Sequence, residues 1–237
     1  MMKGWVLLLG FVIACGEHGP RDSSIDRIWG QDDFRPVLDD DIKAKAIGTM
    51  TNCTVSHLGN GYALTAGHCF GQVAFSGIQR TGSCRSSRYS VRWGRTYTNP
   101  HGYLISRCES IVMREYNADR DYAVFKMSPP YPTHELRPKL DLRGISGSQI
   151  TVYSYPAGRP LEMSGYCRVL DYRDEGPFFY FCDTDSGSSG GPVFNFSGEI
   201  VGIHGWDFKD RNGGTLVKST DLDILYDGES LMPSWSQ

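Results

Sequence analysis

A serine stands between glycines in Gly187-Ser188-Ser189-Gly190-Gly191-Pro192, shortly after Cys182-Asp183-Thr184-Asp185. A serine hydroxyl attacks poorly until a base takes its proton and donors stabilise the oxyanion that forms. Flanking glycines let the backbone curl so that N–H groups converge where that charge develops. The same letters also suit a plain turn between strands, so the motif needs partners. Leu64-Thr65-Ala66-Gly67-His68-Cys69 supplies a base, a histidine after an apolar run and a small-residue turn. Its neighbour Cys69 can close a loop back to Cys53. A single histidine at a strand end is more often structural, so the pattern counts for more than the residue. Asp121 opens the apolar run Tyr122-Ala123-Val124-Phe125. An acid there is costly unless paired, and orienting His68 would pair it. Asp119 is its rival, one step further from the strand.

The elements that must hold these residues read as short strands. Thr49 to Ser56 is one β-type run, Gly59-Asn60-Gly61 a turn where positive φ is cheap, and Tyr62 to Ala66 the return. Further strands are expected at Ile111 to Met113, Tyr122 to Met127, Gln149 to Tyr155, Phe178 to Phe181 and Glu199 to His204. Ser128-Pro129-Pro130-Tyr131-Pro132 breaks the pattern and marks a crossing between two halves. Only the tail around Asp221 to Tyr226 reads as helical. Internal repeats and low-complexity segments are not evident.

The chain has 237 residues, 28 glycines, 12 prolines and a formal net charge of −3. That near balance points to no nucleic-acid partner and no polybasic membrane surface. Lys3 followed by apolar Trp5 to Ile13 reads as an export signal too short to span a bilayer. Val12-Ile13-Ala14-Cys15 resembles the lipobox of bacterial lipoproteins, with Cys15 as the lipidated residue; an ordinary signal peptide is the alternative. Residues 1–14 are thus a signal peptide, 15–27 a tether or short pro-segment, and 28–237 the domain. Six cysteines then remain: Cys53, Cys69, Cys84, Cys108, Cys167 and Cys182. In an exported protein they suggest three disulfides, with 15 pairings open. C-x-x-C spacing is absent and no histidine pair accompanies the cysteines, which disfavours zinc.

His68, Asp121 and Ser189, in that order, together with Glu199 to Trp206, resemble the signatures of chymotrypsin-like serine peptidases. The segment Ile28 to Val37 is similar to the start of bacterial glutamyl endopeptidases, and the resemblance extends to about Tyr226. It implies an all-β fold of two six-stranded antiparallel β-barrels with the active site in the cleft between them. It further implies a triad of His68, Asp121 and Ser189, and an oxyanion hole from the N–H groups of Gly187 and Ser189. Cys53–Cys69 would be the histidine-loop disulfide and Cys167–Cys182 a brace for the specificity region, leaving Cys84 with Cys108. No cofactor is implied, and no EF-hand spacing suggests calcium. Partners would be protein or peptide substrates met by a monomer that is lipid-anchored in the bacterial envelope or secreted. Gly187-x-Ser189-x-Gly191 also satisfies the nucleophile elbow of α/β-hydrolases. That fold needs a helix behind the serine, and Gly190-Gly191-Pro192 is hostile to one.

Two departures stand out. Trypsin-type zymogens carry an aspartate immediately before the nucleophile to pair with a freed amine, and here Ser188 holds that place. Activation is therefore expected without such an ion pair, although a cut at Arg27-Ile28 would free the domain from its anchor. Thr184 and His204 match residues with which glutamyl endopeptidases bind an acidic side chain, so cleavage after Glu is the first expectation. Asp183, however, falls where trypsin-like enzymes bind Arg or Lys, and Asp207 adds negative charge. A catalytically silent binding module on the same scaffold is the other class of function. Trp93 and Tyr97 among Arg88, Arg92 and Arg95 would then be a patch for a partner.

Overall fold

The computed structural model describes residues 28–71, 75–142, 144–227 and 230–231. The expected signal segment, Cys15 and the expected tether to Arg27 lie outside the described residues. Among the described residues, no helix is long and apolar enough to cross a membrane.

After a two-residue strand β1 (Arg35–Pro36), the first half contributes β2 (Ile47–Met50), β3 (Cys53–Gly59) and β4 (Tyr62–Thr65). β5 (Phe75–Ser83), β6 (Ser90–Trp93), β7 (Leu104–Tyr116) and β8 (Asp121–Ser128) follow. The order β7-β6-β2-β3-β4-β8 closes through a β7–β8 pairing, making a six-stranded antiparallel barrel with β5 added to β7. The second half has β9 (Gln149–Ser154), β10 (Glu162–Met163), β11 (Cys167–Tyr172) and β12 (Pro177–Tyr180). It is completed by β13 (Pro192–Asn195), β14 (Ile200–Phe208) and β15 (Arg211–Leu216). Here β9-β11-β12-β15-β14-β13 closes through β9–β13, with β10 and β1 appended to β9. Closure removes the unpaired edges that an open sheet would present to other chains.

Most expected strands are present, with informative differences. The run Thr49 to Ser56 is two strands, because Thr51 takes φ 55° and turns the chain between β2 and β3. Ile111 to Met113 is the middle of the 13-residue β7, whose other positions mix polar and apolar residues without regular alternation and so hid its length. The Pro-rich break after Met127 ends β8, and the chain then crosses to the second barrel at β9. The helical tail is a short 3-10 turn, Leu222–Leu225.

Apolar strand faces fill three clusters. One, with Met50, Val55, Trp93 and Phe125, lies inside the first barrel. A second, with Val152, Phe178, Tyr180 and Val201, lies inside the other. The third joins Leu58, Leu64, Tyr122 and Val124 of the first barrel to Tyr153, Phe194 and Ile203 of the second. Burying that shared face holds the barrels in one arrangement.

His57 on β3 is a structural histidine. Its side chain is buried, Nδ1 lies 2.6 Å from the His134 carbonyl, and the Gly61 N–H donates to Nε2 at 3.3 Å. Those partners require the neutral ring with hydrogen on Nδ1. Burial lowers its pKa, the His134 carbonyl opposes the shift, and the Lys126 charge reinforces it. The unfolded ring titrates near pH 6.5 while the folded ring resists protonation. Its contribution to stability is therefore complete above about pH 6.5 and is lost as pH falls below it. Thermal unfolding at pH 7 and pH 5 should show wild type losing more stability over that interval than His57→Gln. Equal losses would remove His57 from the acid response.

Candidate active site

His68 sits in the 3-10 turn Gly67–Phe70 that follows β4. The Cys53–Cys69 disulfide ties this turn to the start of β3. Arg114 on β7 donates from Nε to the Gly67 carbonyl at 2.7 Å, and from Nη2 to that of Gly71. Carbonyls that a short turn leaves over are thereby satisfied by a buried guanidinium. Asp121 is the first residue of β8, fully buried, and its own N–H donates to Thr215 Oγ1 at 2.8 Å. Its carboxylate accepts the His68 backbone N–H at Oδ1 (2.9 Å) and lies 2.6 Å from His68 Nδ1 at Oδ2. These contacts fix the hydrogen on Nδ1 and leave Nε2 as the ring's acceptor.

Ser189 lies in the loop between β12 and β13, seated against the first barrel. Thr54 does most of that work, donating from N to the Ser189 carbonyl (2.7 Å) and from Oγ1 to that of Gly187 (2.8 Å). Gly190, at φ +82°, donates to the His204 carbonyl at 2.8 Å. A Cβ there would stand 2.1 Å from Thr65 Oγ1 and 2.3 Å from the Thr54 carbonyl, so only glycine fits. Among the described residues, the N–H groups of Gly187 and Ser189 and the Ser189 hydroxyl make no hydrogen bond within the protein. His68, Ser189, Gly187 and Tyr116 line one open groove of about 430 Å³, with Arg88 beside Thr51. Asp119, the rival acid, instead faces Arg173 at the surface (3.7 Å).

Ser188 is buried, with its hydroxyl 3.0 Å from Ser154 Oγ and accepting the Asp185 N–H at 3.1 Å. A hydroxyl network thus closes the turn where the zymogen pattern has an acid.

The expected substrate-binding residues divide. Asp183 does not line the groove. Its Oδ1 accepts the Trp29 N–H and its Oδ2 the Asp33 N–H, each at 2.8 Å, so the carboxylate clamps the chain's 29–33 segment. The Trp29 ring lies 5.1 Å from that of Phe181 in the same clamp. The physical reason is competition: backbone donors from a distant segment capture both oxygens and turn them away from the cleft. Burial raises the Asp183 pKa, and those two donors oppose the shift. Asp183→Asn would set an amide donor against one of the N–H groups. It should cost about 2 kcal/mol in urea unfolding, and an unchanged midpoint would sink the clamp.

Thr184 and His204 do come together, and Asp207 joins them. Asp207 Oδ1 accepts from Thr184 Oγ1 at 3.3 Å and lies 3.6 Å from His204 Nε2. His204 Nδ1 is 2.7 Å from the Tyr180 hydroxyl. Burial lowers the His204 pKa and the Asp207 charge opposes the shift. Residues not found from sequence are Thr54, Thr65, Arg114 and Thr215, whose types carry no motif.

The partner patch does not form. Trp93 is wholly buried with Nε1 donating to Ser106, and Arg92 and Arg95 serve nearby carbonyls. Cys84–Cys108 and Cys167–Cys182 are the other two disulfides. The grouping of His68 with Cys53 and Cys69 offers no free thiolates for a metal, since those sulfurs are bonded to each other.

Residues 52–203 match the profile described as "Trypsin-like peptidase domain". No curated protein matches the chain. Among solved structures, a Glu endopeptidase in complex with MPD is similar at TM-score 0.62 and 19% identity, over 81% of this chain and 94% of that one. A serine endoprotease from Yersinia pestis is similar at TM-score 0.53 and 16% identity, over 77% and 63%. The VesB protease of Vibrio cholerae is similar at TM-score 0.58 and 16% identity, over 79% and 64%. With a family match over more than half its length and two closed six-stranded barrels, the chain belongs to the trypsin-like peptidases and is a serine endopeptidase.

Proposed function

We propose that the domain hydrolyses peptide bonds with Ser189 as nucleophile, His68 as general base and acid, and Asp121 as the group that orients the imidazole. The observation that carries this reading is the buried Asp121 carboxylate bonded to both the backbone and Nδ1 of His68, which itself lines the same groove as Ser189. Ser189 Oγ attacks the scissile carbonyl as His68 Nε2 takes its proton, and the imidazolium returns that proton to the leaving amine. Water then repeats the sequence on the acyl-enzyme. The N–H groups of Gly187 and Ser189 donate to the oxyanion. A serine–histidine contact that is long without substrate tightens when substrate binds.

The hydroxyl network around Ser188 supports a loop ordered without a freed amine. Three disulfides fit export to an oxidising compartment. The domain would be held there through Cys15 or released by a cut near Arg27-Ile28. Cleavage after Glu draws support from Thr184 beside His204, and Asp207 between them weighs against it.

A fluorophosphonate probe tests the chemistry, since it labels an activated serine whatever the substrate. Mass spectrometry should place the adduct on Ser189, and absence of labelling on oxidised, folded protein would favour the silent binding module.

A further inference from the structure

β14 carries a register irregularity beside the cleft. His204 pairs with Gly214 and Trp206 with Gly213, so Gly205 is an extra residue in the strand. In a regular strand, residues three apart point to opposite faces. The extra residue reverses that parity, and Asp207 comes to the same side as His204, into the groove that holds Ser189. Gly205 permits this because a Cβ would stand 2.9 Å from Asp121 Oδ2.

The surroundings of Asp207 leave its charge for a ligand. Its partners are the neutral Thr184 hydroxyl and the buried His204 ring, which burial keeps from protonating easily. Among the described residues, no lysine or arginine lies within 4 Å of it. Asp183, the acid at the place where trypsin-like enzymes bind a basic side chain, is spent on Trp29 and Asp33. Among the described residues that line the groove, the arginine is Arg88, whose carbonyl accepts the Thr51 hydroxyl and which stands with Asn52 at the first-barrel end.

We propose that Asp207 is the specificity-determining residue of the cleft and selects a lysine or arginine immediately before the scissile bond. This rests on the catalytic reading above. A glutamate entering the same place would face Asp207 with no cation between them, whereas an ammonium or guanidinium completes the Thr184–His204–Asp207 cluster. The expected preference is thus the reverse of the one drawn from Thr184 and His204 alone.

The test uses fluorogenic peptides that differ only in the residue before the cut: Arg, Lys, Glu or Ala. Wild type should favour Arg or Lys over Ala and Glu. Asp207→Asn should lower kcat/KM for the basic substrates about 100-fold and leave the Ala substrate within a few-fold. Cleavage after Glu by wild type, or equal losses on all four peptides, would overturn the assignment while leaving the peptidase intact. Absence of cleavage together with absence of fluorophosphonate labelling would instead overturn the catalytic reading. Specificity is then read from calorimetry of Ser189→Ala with product peptides ending in Arg or Glu. Tighter binding of the Arg product, lost in the added Asp207→Asn change, supports the proposal; tighter binding of the Glu product refutes it.

Discussion

Replacing Ser189 with Ala should reduce kcat roughly 10⁶-fold without changing the melting temperature. Among the described residues the hydroxyl has no hydrogen-bond partner, so its removal leaves none of them unsatisfied. The contacts that seat the loop are made by backbone groups, from Thr54 to the Ser189 and Gly187 carbonyls and from Gly190 to His204, and alanine keeps them all. His68→Ala should cost about as much, because a base without a nucleophile and a nucleophile without a base fail alike. The double variant should be no worse than either single one, since the residues act as a unit. Multiplicative losses in that cycle would mean that the two side chains work in separate steps.

Asp121→Asn should lower kcat by about 10⁴-fold and also weaken the fold. The carboxylate is an acceptor at both oxygens, one taking the His68 N–H and the other facing Nδ1. An asparagine has one acceptor and one donor, so it must either present N–H to N–H at the backbone or force hydrogen from Nδ1 to Nε2. The second arrangement leaves the ring unable to take a proton from Ser189. The first leaves a fully buried donor unpaired, at about 2 kcal/mol. A pH–rate profile and urea unfolding of the same variant separate the two effects. Full activity in Asp121→Asn would show that His68 is oriented by something other than this carboxylate.

How much of this was legible from the chain follows from the range of each cause. His68, Asp121 and Ser189 were readable as candidates because local features mark each: a small-residue turn, an acid opening an apolar run, and glycines around a serine. The β class was likewise open to reading, since strand alternation and turn residues act over a few positions, whereas the two-barrel form was implied by the resemblance to chymotrypsin-like peptidases. β7 looked short because only its middle is uniformly apolar, and the Thr51 turn was hidden inside a run of strand-forming residues.

Other features depended on parts of the chain far apart in sequence. The resemblance sets Asp183 where trypsin-like enzymes bind a basic side chain, yet Trp29 and Asp33, about 150 residues away, capture both its oxygens. Thr54 and Arg114 carry no motif, and they matter because folding sets their donors against the carbonyls of the Ser189 loop and the His68 turn. Asp207 reads as one charge in a strand whose even alternation would turn it away from His204. Only the extra residue at Gly205 reverses that alternation, and an insertion in strand register shows itself against the partner strand, not along the chain. The sequence by itself thus determined the class of fold and the candidate chemistry through residue types and local spacing. The tertiary structure decided which acid faces the cleft, because that choice rests on long-range hydrogen bonds and on register.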